Sequence, residues 1–182
     1  MTSRWAAYRP GGPRGTWPDG LVIREALLAD CGGIAQMTHE RDGAAVDAER
    51  GRCNRDLGDP DRLLLVADVG GELAAFARAG RWEPPRDSPE GTAPAGWYLF
   101  GVVVRDDWRR RGIGIELTRQ RLAWIGERAE AAYFFANARN ATSIDLHAKL
   151  GFVEVTRDFT FPGASFEGGA GILFRVDLRA SS

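Results

Sequence analysis

The chain has 182 residues, 44% of them hydrophobic and 27% charged, which suits one globular domain with a sizeable core and argues against a disordered protein. Its 24 basic and 25 acidic residues leave a net charge of −1, so no broad positive field draws it to nucleic acid or to an anionic membrane. Cys31 and Cys53 stand outside any CxxC or Cys/His spacing, which argues against a zinc site and against a disulfide scaffold, and fits a reducing compartment. No apolar run approaches the roughly 20 residues that span a bilayer, and the N-terminus lacks the apolar core of a signal peptide, so the expected protein is soluble and cytoplasmic.

Residues 1–19 combine three prolines with several glycines and no apolar period, and read as an extended leader from which Trp5, Tyr8 and Trp17 could dock. The domain proper is expected over residues 20–180. Leu21 to Glu25 reads as a short strand, and Ala29-Asp30 as the cap of a helix through about His39. A second helix is expected over Ala44 to Leu57. Leu63 to Val69, Gly70-Gly71 and Glu72 to Arg81 then form a hairpin. Glu83 to Gly96 carries four prolines and reads as a loop. Tyr98 to Val104, aromatic and β-branched, is a central strand, and a third helix follows from Gly112 to about Ala129, with Leu117, Trp124 and Ile125 facing the core. Ala132 to Asn137 is a buried strand, 141–150 a helix ended by Gly151, and Phe152 to Arg157 and Gly171 to Leu178 are the last strands.

Within this order, WYLFGVVVRDDWRRRGIG, Trp97 to Gly114, carries the strongest signal. Arg109, Arg110 and Arg111 meet Gly112-Ile113-Gly114 where a strand feeds a helix. Missing side chains there let backbone N–H groups approach a ligand at the positive end of the helix, which makes a site for pyrophosphate. The order is not that of a dinucleotide-binding Rossmann unit, and no Gly-Lys-Ser/Thr follows to make a Walker A loop.

A second constellation runs from Asn140 to Phe152. Asn140, Ser143 and His147, spaced i, i+3, i+7, lie along one helical stripe, with Ile144, Leu146 and Leu150 elsewhere on the helix. Such a stripe lines a cleft; the plainer alternative makes Asn140 a helix cap and His147 a solvated helix residue.

Together the two segments resemble the GNAT superfamily of acetyl-CoA-dependent N-acyltransferases. The family's Arg/Gln-x-x-Gly-x-Gly/Ala is met by Arg109-Arg-Arg-Gly112-Ile-Gly114, and its later Asn, small residue, Leu-Tyr and Gly-Phe by Asn140, Ser143, Leu146-His147 and Gly151-Phe152. The resemblance covers residues 20 to 178. It implies a mixed, mostly antiparallel sheet of six to seven strands with a central splayed pair and helices on both faces. It also implies acetyl-CoA as cosubstrate, with Val102, Val103 and Val104 presenting backbone groups to the pantetheine arm. The amides of 109–114 would hold the pyrophosphate, Arg109 and Arg110 would reach the 3′-phosphate, and Asn140 and Ser143 would stand with the cofactor-binding residues. The amide of Val102 or Val103 would hold the thioester oxygen.

The departure from the family pattern is His147, which stands where a tyrosine meets the departing thiolate. Its ring N–H can donate to sulfur, so it is a candidate acid, or it lines the pocket passively. No carboxylate lies between Trp97 and Val104, which leaves Tyr98, Glu83 or a water chain as base. Glu40, Asp42, Asp47 and Glu49, with Phe159, Phe161, Phe166 and Glu167, would suit a cationic or aromatic amine, or else form an ordinary acidic surface. The expected activity is transfer of acetyl to a primary amine of a small molecule, with no nucleic-acid or membrane partner and a homodimer possible through the last strands. The alternatives are a catalytically weak coenzyme A sensor and transfer to a protein amine.

Overall fold

A computed structural model describes residues 15–166 and 169–178. Most of the leader and Glu167 lie outside the described residues, as do Trp5 and Tyr8. The described chain divides into two compact units, one of residues 15–80 with Phe100–Arg121, the other of Arg81–Leu99 with the chain from Leu122 onward.

The first unit holds β1 (Leu21–Glu25), α1 (Cys31–Asp42), α2 (Val46–Leu57), β2 (Arg62–Val69) and most of β3 (Glu72–Trp82). It also holds the second half of β4 (Gly96–Val104) and the start of α3 (Ile113–Gly126). β1, β2 and β3 pair antiparallel, with Val69 opposite Glu72 across a two-glycine turn. Gly70 and Gly71 have φ of 61° and 92°, the left-handed pair that a tight hairpin turn demands and that side chains resist. Ile34, Met37, Leu64, Val66, Phe76 and Val103 form the core of this unit with both cysteines.

The second unit holds the start of β4, then β5 (Ala131–Asn137), α4 (Ala141–Ala148), β6 (Val153–Thr156) and β7 (Gly171–Asp177). β4 meets β5 parallel at Tyr98↔Tyr133, and β7 pairs antiparallel with both β5 and β6. The strand order is β1-β2-β3-β4-β5-β7-β6, a mixed and mostly antiparallel seven-stranded sheet accompanied by four helices. The fold class is the one the resemblance implies.

Two local expectations are corrected. Cys31 and Cys53 form a disulfide, with Cα atoms 5.6 Å apart, because α1 and α2 pack on each other as a helical hairpin. A search for short cysteine motifs is blind to a pair brought together by helix packing 22 positions apart. Asp30 does not cap α1 through its side chain; its carboxylate turns back to accept the Leu27 N–H at 2.7 Å and the Arg24 guanidinium at 2.6 Å. No helix among the described residues is long and apolar enough to cross a membrane.

Candidate functional site

In the first unit, β4 delivers the chain to the turn that the sequence singled out. Val103 is buried, while Val102 and Val104 are half-buried. A short turn over Asp106–Trp108 follows, closed by the Trp108 and Arg109 N–H groups on the Arg105 and Asp106 carbonyls. Arg110 has φ 64°, the one non-glycine described residue in the left-handed region, at a cost of about 1–2 kcal/mol. Gly112 follows at φ 89°. Ile113 then drives its side chain into the core at 1% exposure and fixes where α3 begins. Two left-handed residues flanking Arg111 curl the backbone just ahead of the N–H groups that α3 leaves unpaired, the shape of an anion nest. Arg110 and Gly112 are exposed at the mouth of this turn.

The three arginines diverge. Arg109 folds back on the turn: its Nε donates to the Val104 carbonyl at 3.0 Å and its guanidinium pairs with Asp106 at 2.7 Å. That side chain braces the turn. Arg111 lies over the Trp108 ring at 5.5 Å. The Arg110 carbonyl accepts the Gly15 N–H at 3.2 Å, and a Cβ on Gly112 would sit 3.7 Å from the Trp17 ring, so the end of the leader runs beside the turn.

Further along α3, Leu117, Thr118, Arg121 and Ile125 continue the buried stripe begun by Ile113. Arg121 is 1% exposed. Its Nη1 donates to the Arg78 carbonyl at 2.9 Å and the Gly101 carbonyl at 3.4 Å, its Nη2 to the Thr118 hydroxyl at 2.8 Å and its Nε to the Leu117 carbonyl at 3.3 Å. All four partners are neutral. With no carboxylate against it among the described residues, burial pushes the guanidinium down to about 9, still a cation at neutral pH. Arg78 differs: it is also buried, but it pairs with Glu49 at 3.3 Å and Asp56 at 3.0 Å.

In the second unit, the Asn140 side chain accepts the Ser143 N–H at 3.2 Å and caps α4. The helix is oriented, as the plainer alternative had it. His147 is not a solvated residue. It is 3% exposed, stacked on Phe134 at 3.7 Å and edge-on to Phe152. Its Nδ1 lies 2.8 Å from the Ser143 carbonyl, which assigns the proton to Nδ1 and spends it on the helix. This geometry favours packing over proton donation.

The Tyr98 ring is fully buried, and its hydroxyl donates to the Pro94 carbonyl at 2.6 Å. Burial raises the phenol far above its ordinary value, and with the bond to Pro94 this favours a framework role for Tyr98 over that of a base. Glu83 is exposed and paired with Arg81. The carboxylates expected to meet an amine are largely engaged: Glu40 accepts from Gln36, Asp42 pairs with Arg41, and Glu49 serves Arg78. The aromatics do assemble. Phe161 lies 4.3 Å from Trp82, 4.6 Å from Phe135 and 5.6 Å from Tyr98, and Phe166 lies 5.6 Å from Phe159.

Known proteins bear on this geometry. Over 95 residues the chain is 35% identical to an L-methionine sulfoximine/L-methionine sulfone acetyltransferase of Pseudomonas paraeruginosa, covering 50% of this chain and 49% of the relative. It is 26% identical over 155 residues to a mycothiol acetyltransferase of Paenarthrobacter aurescens, covering 79% of this chain and 46% of the relative. The chain thus spans about half the length of the curated relatives it matches. Among solved structures, yncA of Salmonella typhimurium with its cofactor acetyl-CoA superposes with a TM-score of 0.67 at 19% identity, covering 89% of this chain and 96% of that one. An N-acetyltransferase from Staphylococcus aureus Mu50 superposes equally well, at a TM-score of 0.67 and 19% identity, over 87% of this chain and 99% of that one. The model of the acetyltransferase (GNAT) family matches residues 25–152, a span from the end of β1 through α4 to Phe152, and the chain belongs to that family.

Proposed function

We propose that the chain is an N-acetyltransferase that moves the acetyl group of acetyl-CoA to the primary amine of a small molecule. The observation that carries this reading is the turn between β4 and α3. Left-handed Arg110 and Gly112 curl the backbone just ahead of the first amides of α3, which supports a pyrophosphate site over residues 110–114. Arg110 and Arg111 add positive charge at its rim. The backbone of Val102, Val103 and Val104 is proposed to receive the pantetheine arm.

When bound, acetyl-CoA supplies a thioester whose carbonyl carbon takes the amine nitrogen as the carbon–sulfur bond breaks, the amine proton ending on the thiol. The protein's share is orientation and a backbone donor for the carbonyl oxygen. A thiol with a pKa of about 8.5 departs tolerably well without a dedicated acid, which accords with a His147 committed to packing. The aromatic cluster around Phe161 is the surface proposed for the acceptor, since its ring faces attract a cationic amine and its area suits an apolar side chain. The amino-acid amine of the Pseudomonas relative's acceptors supports the small-molecule class.

The test is thiol release from acetyl-CoA against polyamines, aminoglycosides, amino acids including methionine sulfone, arylamines and basic peptides, beside a direct acetyl-CoA titration. Release that requires an amine is expected. Binding without release from any acceptor would overturn the enzyme reading in favour of a coenzyme A sensor; no binding would overturn the turn's assignment.

A further inference from the structure

Arg121 poses a physical problem that the activity as proposed does not use. Among the described residues it leads the fully buried side chains in size, and its guanidinium faces three backbone carbonyls and one hydroxyl, with no acid in contact. Holding a cation in a protein interior without an anion is costly even when its N–H groups are satisfied. An apolar side chain of similar length would fill the same space without that cost. Hydrogen bonds to carbonyls satisfy the donors but leave the field of the charge uncancelled, and that field falls on the peptides the donors touch.

One of those peptides is the Gly101–Val102 bond of β4. In a trans peptide the carbonyl and the amide hydrogen point in opposite directions. The Gly101 oxygen turns toward Arg121 and the Arg78 carbonyl of β3, so the Val102 N–H points away from both. A cation drawing on the oxygen pulls electron density across the amide and leaves the hydrogen more positive, the cooperative strengthening known in hydrogen-bond chains. We infer that Arg121 is a positioning residue that polarises the Gly101–Val102 peptide and holds a strengthened Val102 N–H toward the carbonyl oxygen of the acyl group. This rests on the acetyl-CoA reading proposed above, and it selects Val102 over Val103 as the donor.

The test compares the wild type with Arg121→Met, which keeps length and loses charge, and Arg121→Lys, which keeps charge and loses the fork. The readouts are the infrared carbonyl stretch of bound [1-13C]acetyl-CoA, the affinities for acetyl-CoA and coenzyme A measured separately, kcat, and thermal stability. In the wild type the bound carbonyl should absorb at lower frequency than free acetyl-CoA. In Arg121→Met that shift should relax, acetyl-CoA should lose affinity relative to coenzyme A, and kcat should fall about tenfold, a fraction of the loss on removing an oxyanion donor outright. Arg121→Lys should recover part of each while stability stays near wild type. A purely structural arginine would weaken both ligands together and leave the carbonyl frequency unmoved. A wild-type carbonyl without a shift, or a full shift persisting in Arg121→Met, overturns the inference while leaving the acetyltransferase reading intact. If Arg121→Met does not fold, Arg121→Gln, which keeps an amide donor and loses the charge, takes its place, and a full shift there overturns the inference. No binding of acetyl-CoA by the wild type overturns both.

Discussion

Cutting the Cys31–Cys53 bond tests how the first unit is held, and its effect can be sized from the structure. The bond closes a loop with a sequence separation of 22 between the start of α1 and the middle of α2, and both cysteines are buried at 1% and 0% exposure. In the chain-entropy description, a cross-link closing a loop of that size removes about 3 kcal/mol of freedom from the unfolded chain. Little packing is lost on reduction, since buried thiols still behave as small apolar groups beside Ile34, Met37 and Phe76. For a chain of this size that loss corresponds to a fall of roughly 6–12 °C in Tm. The assay is urea and thermal unfolding followed by tryptophan fluorescence, on oxidised protein, on protein reduced in urea and refolded with reductant, and on Cys31→Ala/Cys53→Ala. Reduced protein should fall by the full amount, and the double variant by slightly more because two side chains shrink. Native protein should resist reductant until α1 and α2 part, so the reduction rate should track opening of that hairpin. Equal midpoints for oxidised and reduced protein, or two free thiols in unreduced denatured protein, would refute the reasoning.

Gly112→Val places a β-branched residue at φ 89° and close to Trp17; acetyl-CoA affinity should fall at least tenfold for about 1–3 kcal/mol of backbone strain, and retained affinity by calorimetry would remove the turn from the cofactor site. His147→Phe keeps the stack on Phe134 but drops the bond to the Ser143 carbonyl, so it should lose about 1 kcal/mol of stability with kcat changed less than threefold, whereas a large fall in kcat in a stable variant would return His147 to proton donation. The Arg24 hydrogen bond, aided by the Leu27 N–H, holds the Asp30 carboxyl below the usual carboxylate range. That contribution is present above the unfolded value of about 4 and is lost as pH falls through the lower folded value. Urea midpoints should therefore drop in acid from about pH 4, and less steeply in Arg24→Met; parallel profiles would dismiss the pair.

The parts of this fold that were legible in the sequence are those decided locally. Gly70-Gly71 between two apolar runs has one favourable outcome, a tight hairpin, and the structure has it. A β-rich run followed by arginines and spaced glycines likewise has few ways to continue except by turning into a helix, and α3 starts one residue after Gly112. Asn140 ahead of a helical stripe caps it by hydrogen-bonding three residues on. Side-chain destinations were less legible, because they depend on what packs against each element. The stripe Asn140, Ser143 and His147 has polar residues at helical spacing, yet Phe134 and Phe152 make its last member part of a core.

Arg121 shows where a charged residue carries information that its type alone hides. Ile113, Leu117 and Ile125 recur every four or eight residues, and Arg121 falls on the same stripe midway between Leu117 and Ile125. Sequence reading assigned the core-facing positions to Leu117, Trp124 and Ile125 by hydrophobicity, but Trp124 is half-buried under the Arg128 guanidinium at 4.0 Å, while the arginine goes fully inside. Geometry set the buried face and composition did not. A long cation on an apolar stripe has two outcomes, to snorkel out or to find enough acceptors within, and the second needs carbonyls that another element leaves open. Here β3 and β4 present the Arg78 and Gly101 carbonyls to it. The charged residue in an apolar period is thus the position where the helix reports on its neighbour, and in this chain the neighbour is the strand proposed to face the acyl group.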